Sequence, residues 1–208
     1  MTVGARLQAL LDEGVAGGVF PCAAAVVIHR GRRVFEGGAG GATVRTVFDL
    51  ASLTKVMATT AAFLALWRDA ALGPDTPVGR VLPETAVGRR GVTIADLLAH
   101  RSGLPAFLPL FAPVLRASPA LLEPDCPAEV RAAARGRAVA SALTVTPTVP
   151  TGRSSIYSDL GFIVLGELLA RVAGRALDDL VAERVAQPFG LTARFHRLSS
   201  RPARMPTS

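Results

Sequence analysis

The twelve residues from Val56 to Trp67 carry no charge, no proline and no glycine. A run of that kind has to leave water. It is too short to cross a bilayer, which takes about 20 apolar residues in a helix. It therefore reads as the buried part of a helix over residues 52–70, broken by Gly73-Pro74-Asp75-Thr76-Pro77. A helix that apolar needs cover on most of its faces. Half of the 208 residues are hydrophobic, enough for one domain with a real core or for part of a larger one.

The rest of the chain supplies partners for that helix. Leu7, Leu10 and Leu11 fall at helical spacing in residues 3–13, which Gly14 is expected to end. A hairpin is predicted over 23–38. Its strands are Ala24–Ile28 and Arg33–Glu36, its turn is His29–Arg32, and Gly37–Gly41 follow as a flexible link. Thr93 and Asp96 stand three apart, as in a capping box, and open a short helix over 94–99. Residues 127–142 read as an alanine-rich helix, 144–156 as a loop, and 159–173 and 177–187 as two helices split at Gly174. Residues 193–208 hold no acid and no useful periodicity, so they read as a basic, disordered tail beyond a domain over 1–192.

The formal charge of +7 and the pI of about 11.0 raise the question of a nucleic-acid partner. The arginines are scattered along the whole chain and are not interleaved with aromatics, and the last stretch, with Arg194, Arg197, Arg201 and Arg204, supplies four positive charges and no acid. No nucleic-acid partner is expected. Cys22 and Cys126 are far apart and in no metal or redox spacing, so they read as free thiols of a reducing compartment, and no metal or cofactor is implied. The N-terminus has no long apolar core and no small-residue cleavage site. No signal peptide and no membrane span are read, and the expected location is the cytoplasm.

One lysine, Lys55, stands among 23 basic residues, three positions after Ser52. Residues three apart on a helix share a face. A serine hydroxyl is a weak nucleophile until a neighbour takes its proton. Burial lowers the pKa of a lysine, whereas arginine stays protonated. The only lysine thus sits where a deprotonatable amine serves as a base. The competing reading is a capping serine followed by a solvent-facing lysine, although such a pair does not require the apolar helix that follows. Tyr157 is the only tyrosine and precedes a second apolar helix. Its phenol is suited to relay a proton between Ser52 and a leaving group. Asp159 either accepts from Lys55 or orients Tyr157. Alternatively, Ser158 or Asp159 is simply the helix cap.

Four stretches in order extend the pattern: Phe48-Asp49-Leu50-Ala51-Ser52-Leu53-Thr54-Lys55, Asp75-Thr76-Pro77-Val78, Leu97-Leu98-Ala99-His100-Arg101-Ser102-Gly103-Leu104, and Tyr157-Ser158-Asp159-Leu160-Gly161-Phe162. Together they resemble the β-lactamase-related serine hydrolases, a group of class C β-lactamases, D-alanyl-D-alanine carboxypeptidases and esterases. The resemblance implies an α/β class fold of the α+β type, with an N-terminal hairpin and a mainly helical region. It implies Ser52 as the acylated nucleophile, Lys55 as its activating partner and Tyr157 as general base and acid. It also implies a small-molecule ester, amide or β-lactam substrate. The family's Tyr-x-Asn has Asp159 in its third position here, and His100, Ser102 and Gly103 read as a structural turn.

The family's third motif, Lys-Thr-Gly or His-x-Gly on a late strand, has no counterpart after residue 159. Its absence, and that of the C-terminal sheet strands, reads as a truncated or frame-shifted product. Half of an oxyanion hole would then be missing, and one lost donor lowers the rate by about 10²–10³-fold. The chain alone is therefore expected to be weakly active at best and poorly soluble or partly unfolded. A non-catalytic binding module that keeps the fold is the rival reading.

Overall fold

The computed structural model describes residues 2–123 and 125–195, in two compact units that divide between Leu50 and Ala51. The region read as a tail lies outside the described residues from position 196 onward.

The first unit holds helix α1 (Val3–Ala16) and strands β1 (Ala23–His29) and β2 (Arg32–Ala39). Thr2 caps α1 by accepting from the Ala5 amide at 3.2 Å. The helix runs through Gly14 and stops at Gly17. Gly14 is a packing position: the Phe20 ring lies 2.3 Å from where a side-chain carbon would begin. The hairpin turn is two residues, not four. Arg30 and Gly31 both have positive φ, 51° and 77°, which matches the turn to the strand twist. Gly37 and Gly38, expected in a link, pair with Ala25 and Ala24 in the ladder. Gln8 Nε2 donates to the Gly38 carbonyl at 3.0 Å, which docks α1 on the strand. Among the described residues the sheet has these two strands only, and Val26, Ile28 and Val34 are exposed.

The second unit is helical. The run at 52–70 begins with a wide π-helical segment, Lys55–Thr60, before settling into α2 (Ala61–Arg68). Then come α3 (Ala86–Arg89), α4 (Ile94–Leu98), α5 (Phe111–Ala117), α6 (Ala128–Thr144), α7 (Asp159–Ala173) and α8 (Leu177–Val181), the last continued by π-helical Ala182–Ala186. The capping box of α4 is complete, with Thr93 Oγ1 accepting from the Asp96 amide and Asp96 accepting from the Thr93 amide. α3 and α5 were not expected. α3 is four residues long, and Pro113 sits within the first turn of α5, where its missing N–H is harmless.

Helix α7 is the centre of this unit. Leu160, Val164, Leu165, Leu168 and Leu169 are all at most 1 % exposed. Each fully buried side chain of this size contributes about 1.5–3 kcal/mol of gross hydrophobic stabilisation. They pack with Phe63 and Leu66 of α2, Leu97 of α4 and Leu180 of α8 in one core. Ser158 caps α7 by accepting from the Gly161 amide at 3.2 Å, and Asp159 occupies the first turn. The most buried helix of the unit thus sets the position of Asp159. No helix among the described residues is long and apolar enough to cross a membrane.

Candidate active site

Ser52, Lys55, Tyr157 and Asp159 come together within the second unit. Ser52 occupies the turn that leads into the π-helical segment. Ala51 before it has φ +42°, a left-handed conformation that costs a non-glycine residue about 1–2 kcal/mol. Lys55 Nζ donates to Ser52 Oγ at 3.1 Å. The wide turn that starts at Lys55 is held by Thr60 Oγ1, which donates to the Lys55 carbonyl at 2.8 Å.

The Lys55 ammonium lies 2.6 Å from Asp159 Oδ1 and 4.9 Å from the centre of the Tyr157 ring. Asp159 Oδ1 is buried, and the Lys55 ammonium 2.6 Å away is what compensates it. Burial is the largest single influence on Lys55 and pushes its pKa down. The hydrogen bonds and charges of Asp159 and Tyr157 together outweigh burial and hold it above the ordinary 10.5. The direction is opposite to the one burial alone would give: Asp159 and Tyr157 favour the charged form of Lys55. The Tyr157 phenol moves the other way. A hydrogen bond with Ser52, then one with Lys55, hold it below its ordinary 10.0.

The Tyr157–Asp159 stretch is tied to the end of α4. Ile156 N–H donates to the His100 carbonyl at 2.9 Å, and Asp159 N–H donates to the Ala106 carbonyl at 2.9 Å. Ser158 Oγ donates to the Pro105 carbonyl at 2.7 Å, and Ser158 N–H donates to His100 Nδ1 at 3.0 Å. A cleft of about 560 Å³ opens beside Ser52 and Lys55, with Asp159, Phe162, Arg135 and Val139 on its walls. Sequence reasoning missed Arg135 and Val139, which lie on α6 with no local signal tying them to Ser52.

The Lys55–Asp159 pair makes a direct prediction. Asp159→Asn removes the first of the influences that raise Lys55 and leaves burial acting against it. A raised lysine pKa adds stability that is present below 10.5 and lost as pH rises through the folded-state value. The only lysine gives an unambiguous NMR signal. Its titration midpoint is expected above the ordinary value in the wild type and lower in Asp159→Asn. An unchanged midpoint would contradict the pair.

The sequence profile of the beta-lactamase family matches residues 7–204. The chain belongs to the beta-lactamase family. Among relatives in this family, a provisionally assigned D-alanyl-D-alanine carboxypeptidase of Escherichia coli (strain K12) is 30% identical over 163 residues, which cover 73% of this chain and 34% of that protein. The octameric penicillin-binding protein homologue from Pyrococcus abyssi superposes with a TM-score of 0.73 at 21% identity, over 92% of this chain and 44% of that one. A D-stereospecific amidohydrolase from Streptomyces sp. superposes at 0.71 with 28% identity, over 92% of this chain and 56% of that one. The chain thus spans about a third of the curated relative and about half of the solved structures. The β-lactamase/penicillin-binding-protein-like fold expected from the motifs is the fold found.

Proposed function

We propose that this chain carries the acylating half-site of a serine hydrolase, acting through an acyl-enzyme on a small ester, amide or β-lactam. The observation that carries the reading is the placement of the Ser52 hydroxyl between two groups of opposite tendency. It accepts from the Lys55 ammonium at 3.1 Å and bonds to a phenol whose pKa is lowered. Tyr157 takes the Ser52 proton as Oγ attacks the carbonyl carbon. Lys55 stays cationic and favours the phenolate by charge. The start of the helix favours the negative charge that develops on the former carbonyl oxygen. Tyr157 then returns the proton to the departing alcohol or amine. Water, deprotonated by the same phenolate, releases the acid. Asp159 keeps Lys55 charged and in place. The names of the relatives, a carboxypeptidase and an amidohydrolase, support amide chemistry.

Incubation with a fluorophosphonate, or with a fluorescent penicillin, and intact-mass analysis test the reading. One covalent adduct is expected on the wild type and none on Ser52→Ala. Labelling that survives Ser52→Ala would sink the assignment of Ser52. A folded wild type that takes no label would favour the non-catalytic module.

A further inference from the structure

Tyr157 is gripped from both sides by one residue. The amide before its own position, that of Ile156, donates to the His100 carbonyl at 2.9 Å. The amide after it, that of Ser158, donates to His100 Nδ1 at 3.0 Å. The His100 ring lies 4.5 Å from the Tyr157 ring and 5.1 Å from the Phe162 ring. His100 itself is held at φ +56°, a conformation that persists only where the surroundings impose it. Because Nδ1 accepts a hydrogen bond, the ring proton is on Nε2 and the imidazole is neutral. Ser158 is 1 % exposed, and its amide has no water to turn to if that acceptor is lost.

We propose that His100 is the positioning residue of this site: its neutral imidazole clamps the Tyr157–Ser158 peptide and so holds the phenol against Ser52. The proposal rests on the reading of Ser52 and Tyr157 as the acylating pair. Protonation puts a hydrogen on Nδ1, opposes the Ser158 N–H and opens the clamp. The charged and titratable groups facing the ring are Lys55, Asp159 and Tyr157. Burial, then the Lys55 charge, hold the His100 pKa below its ordinary 6.5, against an opposing pull from Asp159. The sign follows: the clamp is intact above 6.5 and fails as pH falls through the lowered value.

The rate of fluorophosphonate labelling of Ser52, followed from pH 5 to 9, reads this out. In the wild type, log rate is expected to fall with a slope of about one as Tyr157 protonates and about two once His100 protonates. His100→Phe keeps a ring but has no acceptor, and is expected to label about tenfold or more slowly at pH 8. Asn tolerates positive φ and offers an amide oxygen near the place of Nδ1. His100→Asn is therefore expected to recover labelling relative to His100→Phe and to lose the second acid step. A second step retained at the same pH in His100→Asn, or wild-type labelling by His100→Phe, overturns the proposal. If the wild type takes no label, the acylation reading fails on its own and NMR decides the clamp. Tyr157 and Ser158 amide signals that shift with the His100 ring titration support it, and signals indifferent to that titration reject it.

Discussion

Tyr157→Phe is expected to lower the rate of Ser52 acylation by about 10²–10⁴-fold, the range of a lost general base. The variant removes one oxygen and leaves the ring, so the 4.5 Å packing against His100 is retained. On the proposed reading Lys55 does not take over as base, because Asp159 at 2.6 Å favours its charged form. The pH dependence carries the same sign. Acylation should rise as pH increases through the Tyr157 pKa, which lies below 10.0, and fall as Lys55 deprotonates above 10.5. Tyr157 is the only tyrosine, so the ultraviolet absorbance of the phenolate reports its titration directly. A labelling rate within about threefold of wild type, a difference of about 0.65 kcal/mol, would remove Tyr157 from the reaction.

The second large effect is on stability. Gly103→Ala should destabilise the second unit by about 2–3 kcal/mol, from a strained backbone plus a forced displacement. Gly103 has φ +79°, and an added carbon would lie 2.2 Å from the Val149 carbonyl oxygen. That carbonyl belongs to backbone and cannot swing aside. Gly103 also accepts from the Thr148 amide at 2.9 Å, and the neighbouring Arg101 carbonyl accepts from Gly152 at 2.9 Å. Displacing this corner disturbs the support of Tyr157 as well as the core. A thermal melt should show a midpoint about 4–12 °C lower. Gly136→Ala is the control. That glycine lies inside α6 with nothing within 4 Å, so alanine there should raise stability by about 0.5–1 kcal/mol. Equal responses at the two glycines would show that the clash at Gly103 is relieved at no cost.

Much of the second unit was legible because its signals are local. The capping box at Thr93 and Asp96 and the limits of α7 between Ser158 and Gly174 are written in residues within one turn of the boundary. Gly14 misled because an isolated glycine looks like a stop, while its partner, the Phe20 ring, lies beyond the helix end. Gly37 and Gly38 looked like a link for the same reason: their ladder partners are set by hairpin register. The π-helical segment at Lys55 leaves no trace in the hydrophobic pattern, since a residue or two of offset is invisible in so apolar a run. His100 was read correctly as part of a turn. Its grip on Tyr157 was not readable, because it depends on two loops meeting in space.

Sequence alone determined which side chains to watch. A lone lysine three positions from Ser52 and a lone tyrosine at the mouth of an apolar helix are facts of order and spacing, and both fall in one cluster. Only the tertiary structure decided which charges and dipoles lie beside them. Spacing suggested a buried, neutral Lys55. Folding brings Asp159 to 2.6 Å from Lys55, which raises the lysine's pKa above the ordinary 10.5, while bonds to Ser52 and Lys55 lower that of Tyr157. The physical reason is that local periodicity depends on neighbours along the chain, whereas a pKa depends on every charge and dipole within a few ångströms in space.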